Sequence, residues 1–186
     1  DSIITWYVQN LGPKPSVLVL NSPVFAEDRG WSPAAGPRGT YFHEKYCIPA
    51  DHLVFVYVGI FGSGRGIEIC LDAFADGPKD AHIVFIGFGR LASTIAEYAE
   101  RYPNVHIHQA VPHDRVVPLV RSADYGLCLV ENVSLSDYYC LPNKLFEYIF
   151  ARLPVLASDF PEIRRLVQQY SLGLCCAPRA DSVRSA

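Results

Sequence analysis

The run Pro142-Asn143-Lys144-Leu145-Phe146-Glu147-Tyr148 reads as a loop ending in proline and a helix that opens with a lysine. The first N–H groups of a helix have no partner within it, and the aligned peptide dipoles favour negative charge there. Pro142, Asn143 and Lys144 stand at that positive end, with Lys144 adding a mobile full charge, so the spacing suits an anion such as phosphate. Glu147, one turn further in, is badly placed to bind phosphate itself. Its carboxylate could accept hydrogen bonds from hydroxyls attached to that phosphate, such as those of a ribose. Phosphate plus diol describes a nucleotide.

Other residues could complete such a site. In Gly59-Ile60-Phe61-Gly62-Ser63-Gly64-Arg65-Gly66, Gly62 and Gly64 let the backbone approach a ligand, and Arg65 offers a planar fork to a diphosphate. A tight strand-to-helix turn with a surface arginine accounts for the same residues equally well. The pattern is neither a Walker loop nor the usual dinucleotide fingerprint. Gly87-Phe88-Gly89 forms a second glycine turn whose Phe88 could lie along a base or sugar, a packed aromatic beside a structural turn being the plainer reading. Val111 and Pro112 bound a loop that offers fixed backbone groups to a base edge, or serves only as a connector. Glu131, Asn132, Tyr138 and Tyr139, with Ser134, Ser136 and Asp137 among them, are dense enough in polar groups to recognise sugar hydroxyls, although Ser and Asp also serve as turn and cap residues. His106 and His108 alternate on a strand without a third ligand at metal-binding spacing. Asp159 and Glu162 read as helix-start acids.

The elements that must carry these residues follow from apolar patterning. β-rich apolar runs at 53–59, 81–86, 105–108, 125–130, 155–157 and 173–176 alternate with helical spacing at 66–75, 90–102, 113–121, 144–152 and 162–170. Continuous apolar strands with intervening amphipathic helices predict an α/β, Rossmann-like doubly wound parallel sheet. Ligands of such sheets sit outside the carboxyl ends of the strands, where the candidate residues fall. Upstream, 3–11 reads as a short helix or strand, 17–20 as a strand, 26–40 as a flexible loop and 41–46 as a short helix.

A chain of 186 residues, half of them apolar, has enough material for one core. A net charge of −3 without a basic cluster gives no footprint for nucleic acid. No apolar run reaches membrane-spanning length. The six cysteines, at 47, 70, 128, 140, 175 and 176, form no CxxC pair and fit reduced, structural thiols in the cytoplasm better than a disulfide framework.

Taken in order, the motifs resemble the C-terminal, donor-binding half of retaining glycosyltransferases with the GT-B fold, of the group 1 type. The likeness spans about residues 21–177: Asn21-Ser22-Pro23 as linker strand, the two glycine turns, the stretch from Asn104-Val105 to Val111-Pro112, Ser122-Ala123-Asp124, and Pro142 through Glu147 to Pro154-Val155 and Ser158. The resemblance implies that Arg65 holds the donor diphosphate, with the helix start and Lys144. It implies Glu147 on the ribose, the Val111-Pro112 backbone facing the base, and Gly87, Phe88 and Gly89 lining the nucleotide cleft. It further implies metal-independent sugar transfer from a nucleoside diphosphate, with no resident cofactor. The acceptor, a sugar or a lipid-linked one, would bind an N-terminal domain not contained in this chain, so the fragment would bind donor but transfer little. The family's polysaccharide biosynthesis would place the protein in the cytoplasm or at the inner face of a membrane. On this reading 1–25 is linker and incoming strand, 26–40 a loop, 41–177 the nucleotide-sugar-binding domain and 178–186 a tail.

Two positions depart from the family pattern. Ile60 stands where an arginine or similar group commonly follows the glycine, and Tyr139 stands where a sugar-contacting glutamate is common, leaving that contact to Glu131, Asn132 or Tyr138. These departures keep open a noncatalytic binding or scaffold module. A nicotinamide-dependent oxidoreductase would need a tighter glycine fingerprint and an acid about twenty residues on, which Asp72 and Asp76 precede. Base, sugar and oligomeric state are not indicated.

Overall fold

The computed structural model describes residues 2–17 and 39–186. The strand expected at 17–20 beyond Val17, the linker at 21–23 and nearly all of the loop expected at 26–40 lie outside the described residues. Two helices, α1 (Ser2–Leu11) and α2 (Tyr41–Tyr46), precede the alternation β1 (Leu53–Ile60), α3 (Ile67–Ala75), β2 (Ala81–Phe88), α4 (Ala92–Arg101), β3 (Val105–Gln109), α5 (His113–Val120), β4 (Tyr125–Cys128). It continues through α6 (Leu135–Tyr138), α7 (Asn143–Phe150), β5 (Val155–Ser158), α8 (Pro161–Gln169), β6 (Gly173–Cys176) and α9 (Ala180–Ser185). All strand pairs are parallel, in the order β3-β2-β1-β4-β5-β6. The chain thus builds outward from β1 to β3, returns, and continues from β4 on the other side. The crevice at that reversal, between β1 and β4, is where a doubly wound sheet binds ligands.

Side-chain alternation along the strands divides the core into two layers. Val54, Val56, Val58, Val84, Ile86, Cys128, Val130, Val155 and Ala157 join the layer formed with Leu145 and Tyr148 of α7 and Ile163 of α8. Tyr57, Ile83, Phe85, Leu127, Leu129 and Leu156 join the opposite layer, with Ile67 and Leu71 of α3 and Ile95 of α4. Val183 of α9 is buried in this second layer, so the segment expected to be a tail adds a helix to the domain.

Two hydroxyls extend the sheet where its ladders are short. Tyr148 Oη accepts from Val58 N–H at 2.9 Å and lies 3.2 Å from both Val56 O and Leu127 O, to which its proton can be donated. It bridges β1 and β4 beyond their registered pairs, Phe55↔Tyr125 and Val56↔Gly126. Ser158 Oγ accepts from Val130 N–H at 2.8 Å and donates to Val130 O at 2.7 Å. The strand expected to run to Val130 therefore ends its ladder at Cys128, and a side chain takes over the pairing.

At the opposite ends of the strands His52, His82 and His106 form a ladder, with ring nitrogens 3.0 Å apart at each step. His82 and His106 stack at 6°, and Tyr46 stacks on His106. Burial, followed by the neighbouring His82, lowers the His106 pKa to about 4. His108 is buried and bonds Tyr41 Oη at 2.9 Å.

Candidate functional site

The glycine turn after β1 is held by the loop after β4. Glu131 N–H donates to Gly64 O at 3.1 Å, and Glu131 Oε1 accepts from Gly66 N–H at 3.2 Å. Gly66 has φ +72°, and a Cβ there would come within 2.7 Å of Leu129 Cβ, so only glycine joins this turn to α3 without displacing the chain just after β4. Gly62 closes its own turn through N–H to Ile60 O at 3.0 Å. One Glu131 oxygen is thus engaged in positioning the turn, a role that sequence spacing did not assign.

Arg65, half exposed in this turn, faces Asp137 of α6, with Nη1 3.5 Å from Oδ1. Asp137 in turn accepts from Ser134 Oγ at 2.6 Å, and the Ser134 side chain caps α6 by accepting from Asp137 N–H. The dense polar loop after β4 thus carries a counterion for the arginine. Asn132 is exposed. Tyr138, partly buried, packs its ring on Phe160, 5.2 Å between centroids, and against the first core layer. The apolar ring finds that layer because a short helix intervenes where only a loop was expected. Tyr139 lines a cavity of about 360 Å³ shared with Trp6 and Gln9 of α1 and Glu162 and Arg165 of α8. Glu162 lies in the first turn of α8, as expected, and accepts from Ser2 N–H and Arg165; Asp159 precedes the helix and pairs with Arg164.

The second glycine turn is also corrected. Gly87 and Phe88 are the last residues of β2, paired with Gly59 and Ile60. A Cβ on Gly87 would fall 1.9 Å from Gly59 O, so the glycine answers a close approach of two strands. Gly89 O accepts from Ala92 N–H at 3.2 Å at the start of α4. Phe88 remains 65% exposed at the strand end beside Ile60, 62% exposed. Val111 packs part-buried on the first core layer, while Pro112, exposed, occupies the position before α5 with φ −53° and ψ 146°.

α7 starts where the sequence places it. Pro142 precedes the helix with φ −69° and ψ 143°, and Asn143 is its exposed first residue. Lys144 is more deeply placed than expected. Its Nζ lies 3.7 Å from the centroid of the Tyr57 ring and is buried without a hydrogen-bond partner among the described residues. Burial lowers its pKa to about 8; Arg65 pushes the same way, while Cys128, Cys70 and Glu147 oppose it. A long flexible stem lets the ammonium turn inward onto the electron-rich ring.

Glu147 is the most telling group. Its side chain is 8% exposed, and no hydrogen bond to its carboxylate forms among the described residues. His113 at the start of α5 stands beside it, with Nδ1 3.6 Å from Oε1. Burial raises the Glu147 pKa, and His113 and Lys144 hold that rise back. The fold therefore gathers a half-exposed guanidinium, a buried ammonium that feels it, a helix N-terminus and a sequestered carboxylate around the β1–β4 crevice. His113, Asp137, Tyr57 and Tyr148 complete the arrangement. No spacing rule singles them out, because each partner lies on a different element.

A family model described as glycosyl transferases group 1 matches residues 52–185. The chain belongs to this family. Its α/β Rossmann-like domain matches the GT-B glycosyltransferase architecture. Anabaena HepE in complex with UDP and glucose is 14% identical, with a TM-score of 0.58 over 78% of this chain and 40% of that one. WaaG, a glycosyltransferase involved in lipopolysaccharide biosynthesis, is 18% identical, with a TM-score of 0.58 over 81% and 42% of the two chains. The E. coli trehalose-6-phosphate structure bound with UDP-2-fluoro glucose is 16% identical, with a TM-score of 0.59 over 82% and 39%. The chain thus spans about two fifths of the length of these structures, and at such identities the likeness is one of fold. A search of curated proteins gives no significant match. No helix among the described residues is long and apolar enough to cross a membrane, and all six cysteines are free thiols.

Proposed function

We propose that this chain is the nucleotide-sugar donor-binding half of a glycosyltransferase of the hexosyl-transferring type, acting from the cytoplasmic donor pool in polysaccharide biosynthesis. The observation that carries the reading is Glu147: a carboxylate on a side chain only 8% exposed, one turn into α7, with no hydrogen bond from the described residues. A largely desolvated carboxylate that receives no donor from the protein gains from a ligand that supplies them, and ribose hydroxyls supply two. Arg65 and the α7 N-terminus then face the diphosphate, stabilising the charge that develops on it as the glycosidic bond to the donor breaks. Lys144 contributes to the positive field from within, and no metal is needed for charge neutralisation. The structures bound to UDP or UDP-sugars share this fold and support a nucleotide-sugar partner.

The acceptor, a sugar or a lipid-linked one, would bind the half of the enzyme that precedes this chain, so the isolated domain binds donor and turns over little. Calorimetric titration with UDP, GDP and their hexose conjugates tests the reading. Binding that Arg65→Ala and Glu147→Gln each weaken is expected; absence of binding at millimolar nucleotide, or indifference to both changes, refutes it. The exposed Ile60, in place of a common basic residue, motivates a scaffold reading. Donor hydrolysis or transfer by a chain rejoined to its upstream half would dispose of it.

A further inference from the structure

We propose that His113 is a positioning residue for Glu147, and that this pair, joining the base loop to the ribose hydroxyls, makes the site selective for ribonucleoside diphosphates. The inference rests on the reading of Glu147 as the ribose-binding group and adds a residue to it.

Three observations converge on His113. It follows directly on Val111-Pro112, whose proline fixes the chain as it enters α5. Val116 and Val120 anchor α5 in the same core layer as Leu145 and Tyr148 of α7, so the backbones of His113 and Glu147 hold one relation. Its Nδ1 stands 3.6 Å from Glu147 Oε1, while the rest of the ring is open, the side chain being 63% exposed. The gap exceeds a well-formed hydrogen bond and lies within ion-pair reach. His113 therefore holds one carboxylate oxygen on the α5 side.

A vicinal diol is recognised by a carboxylate whose plane is fixed, because two hydroxyls must meet its acceptor directions together. The carboxylate must also stay ionised, since protonation turns one of its acceptor sites into a donor. Burial works against ionisation here, with Lys144 of α7 and His113 of α5 as the opposing charges. A rotating or protonated Glu147 would still admit the diphosphate, which Arg65 and the helix start hold, but would lose the distinction between ribose and 2′-deoxyribose. A histidine also ties the contact to the base loop: displacement of residues 111–113 by the base moves the group that aims the carboxylate.

The test is titration of the chain with UDP and GDP, with their 2′-deoxy counterparts and with inorganic pyrophosphate. For the nucleotide that binds, the preference for ribose over 2′-deoxyribose is compared among wild type, His113→Ala, His113→Lys and Glu147→Gln. His113→Ala is expected to cut that preference up to about fivefold, the scale of one part-exposed ion pair, with pyrophosphate affinity unchanged. His113→Lys, which keeps a cation beside Glu147, is expected to restore most of it. If Glu147→Gln abolishes the preference while His113→Ala retains it, or if His113→Lys rescues nothing, the positioning role is wrong and the ribose assignment stands. If Glu147→Gln also leaves the preference intact, the ribose assignment itself fails.

Discussion

Tyr148→Phe removes one oxygen atom at the junction of β1 and β4 and tests how the reversal point is held. The ring is fully buried, so water cannot replace the hydroxyl. Its loss leaves Val58 N–H without the 2.9 Å bond it makes to Tyr148 and deprives Val56 O and Leu127 O of the donor they share. Leaving a buried donor unmade costs about 1–3 kcal/mol, and a lost hydroxyl bond about 1 kcal/mol more, so about 2–4 kcal/mol is expected in total. In a chain of this size that lowers Tm by about 5–15 °C. Urea denaturation followed by circular dichroism, with calorimetric melting in parallel, measures both values. Phenylalanine keeps the ring against Gly126, whose missing Cβ would stand 2.4 Å from Tyr148 Cγ, so no cavity confuses the result. A loss below about 0.5 kcal/mol would refute the argument that the hydroxyl substitutes for ladder bonds. Because Tyr148 follows Glu147 on α7, donor affinity of the folded variant should also fall severalfold.

Three further perturbations address charge. Asp137→Asn frees Arg65 from its counterion while keeping an acceptor for Ser134; a part-exposed pair is worth up to about 1 kcal/mol, so nucleoside diphosphate affinity should rise up to about fivefold, and unchanged affinity in titration would deny the competition. Lys144→Met removes an unpartnered buried ammonium, so the unliganded domain should gain about 1 kcal/mol in urea denaturation while diphosphate affinity drops; lost stability would show that the Tyr57 contact outweighs burial. His106, with its pKa lowered to about 4, binds protons more readily in the unfolded chain, so its contribution is complete above about pH 6.5 and fades as pH falls toward 4. Discounted for partial exposure, the effect is about 1–2 kcal/mol, and His106→Phe should flatten that part of the stability-against-pH curve.

The patterned parts of the chain disclosed their structure before their surroundings were known. Apolar β-rich runs became β1 through β6 because a parallel strand covered on both faces needs apolar residues at consecutive positions, a property of a few neighbouring residues. The start of α7 was equally plain, since Pro142 and the dipole behind it act locally. Local pattern also misled: Gly87 looked like a turn and is strand, because its need for glycine comes from Gly59 O across the sheet.

Sequence alone determined the α/β class, the strands and helices of the doubly wound sheet, and the candidates Arg65, Lys144 and Glu147 near strand ends. Tertiary structure decided what each of them faces. Arg65 meets Asp137, Lys144 turns onto Tyr57, and Glu147 waits beside His113, across sequence separations that no periodicity spans. The cause is the reversal of strand order between β1 and β4, which brings distant loops to one crevice. Burial there sets the protonation of groups whose identity sequence can read but whose environment it cannot.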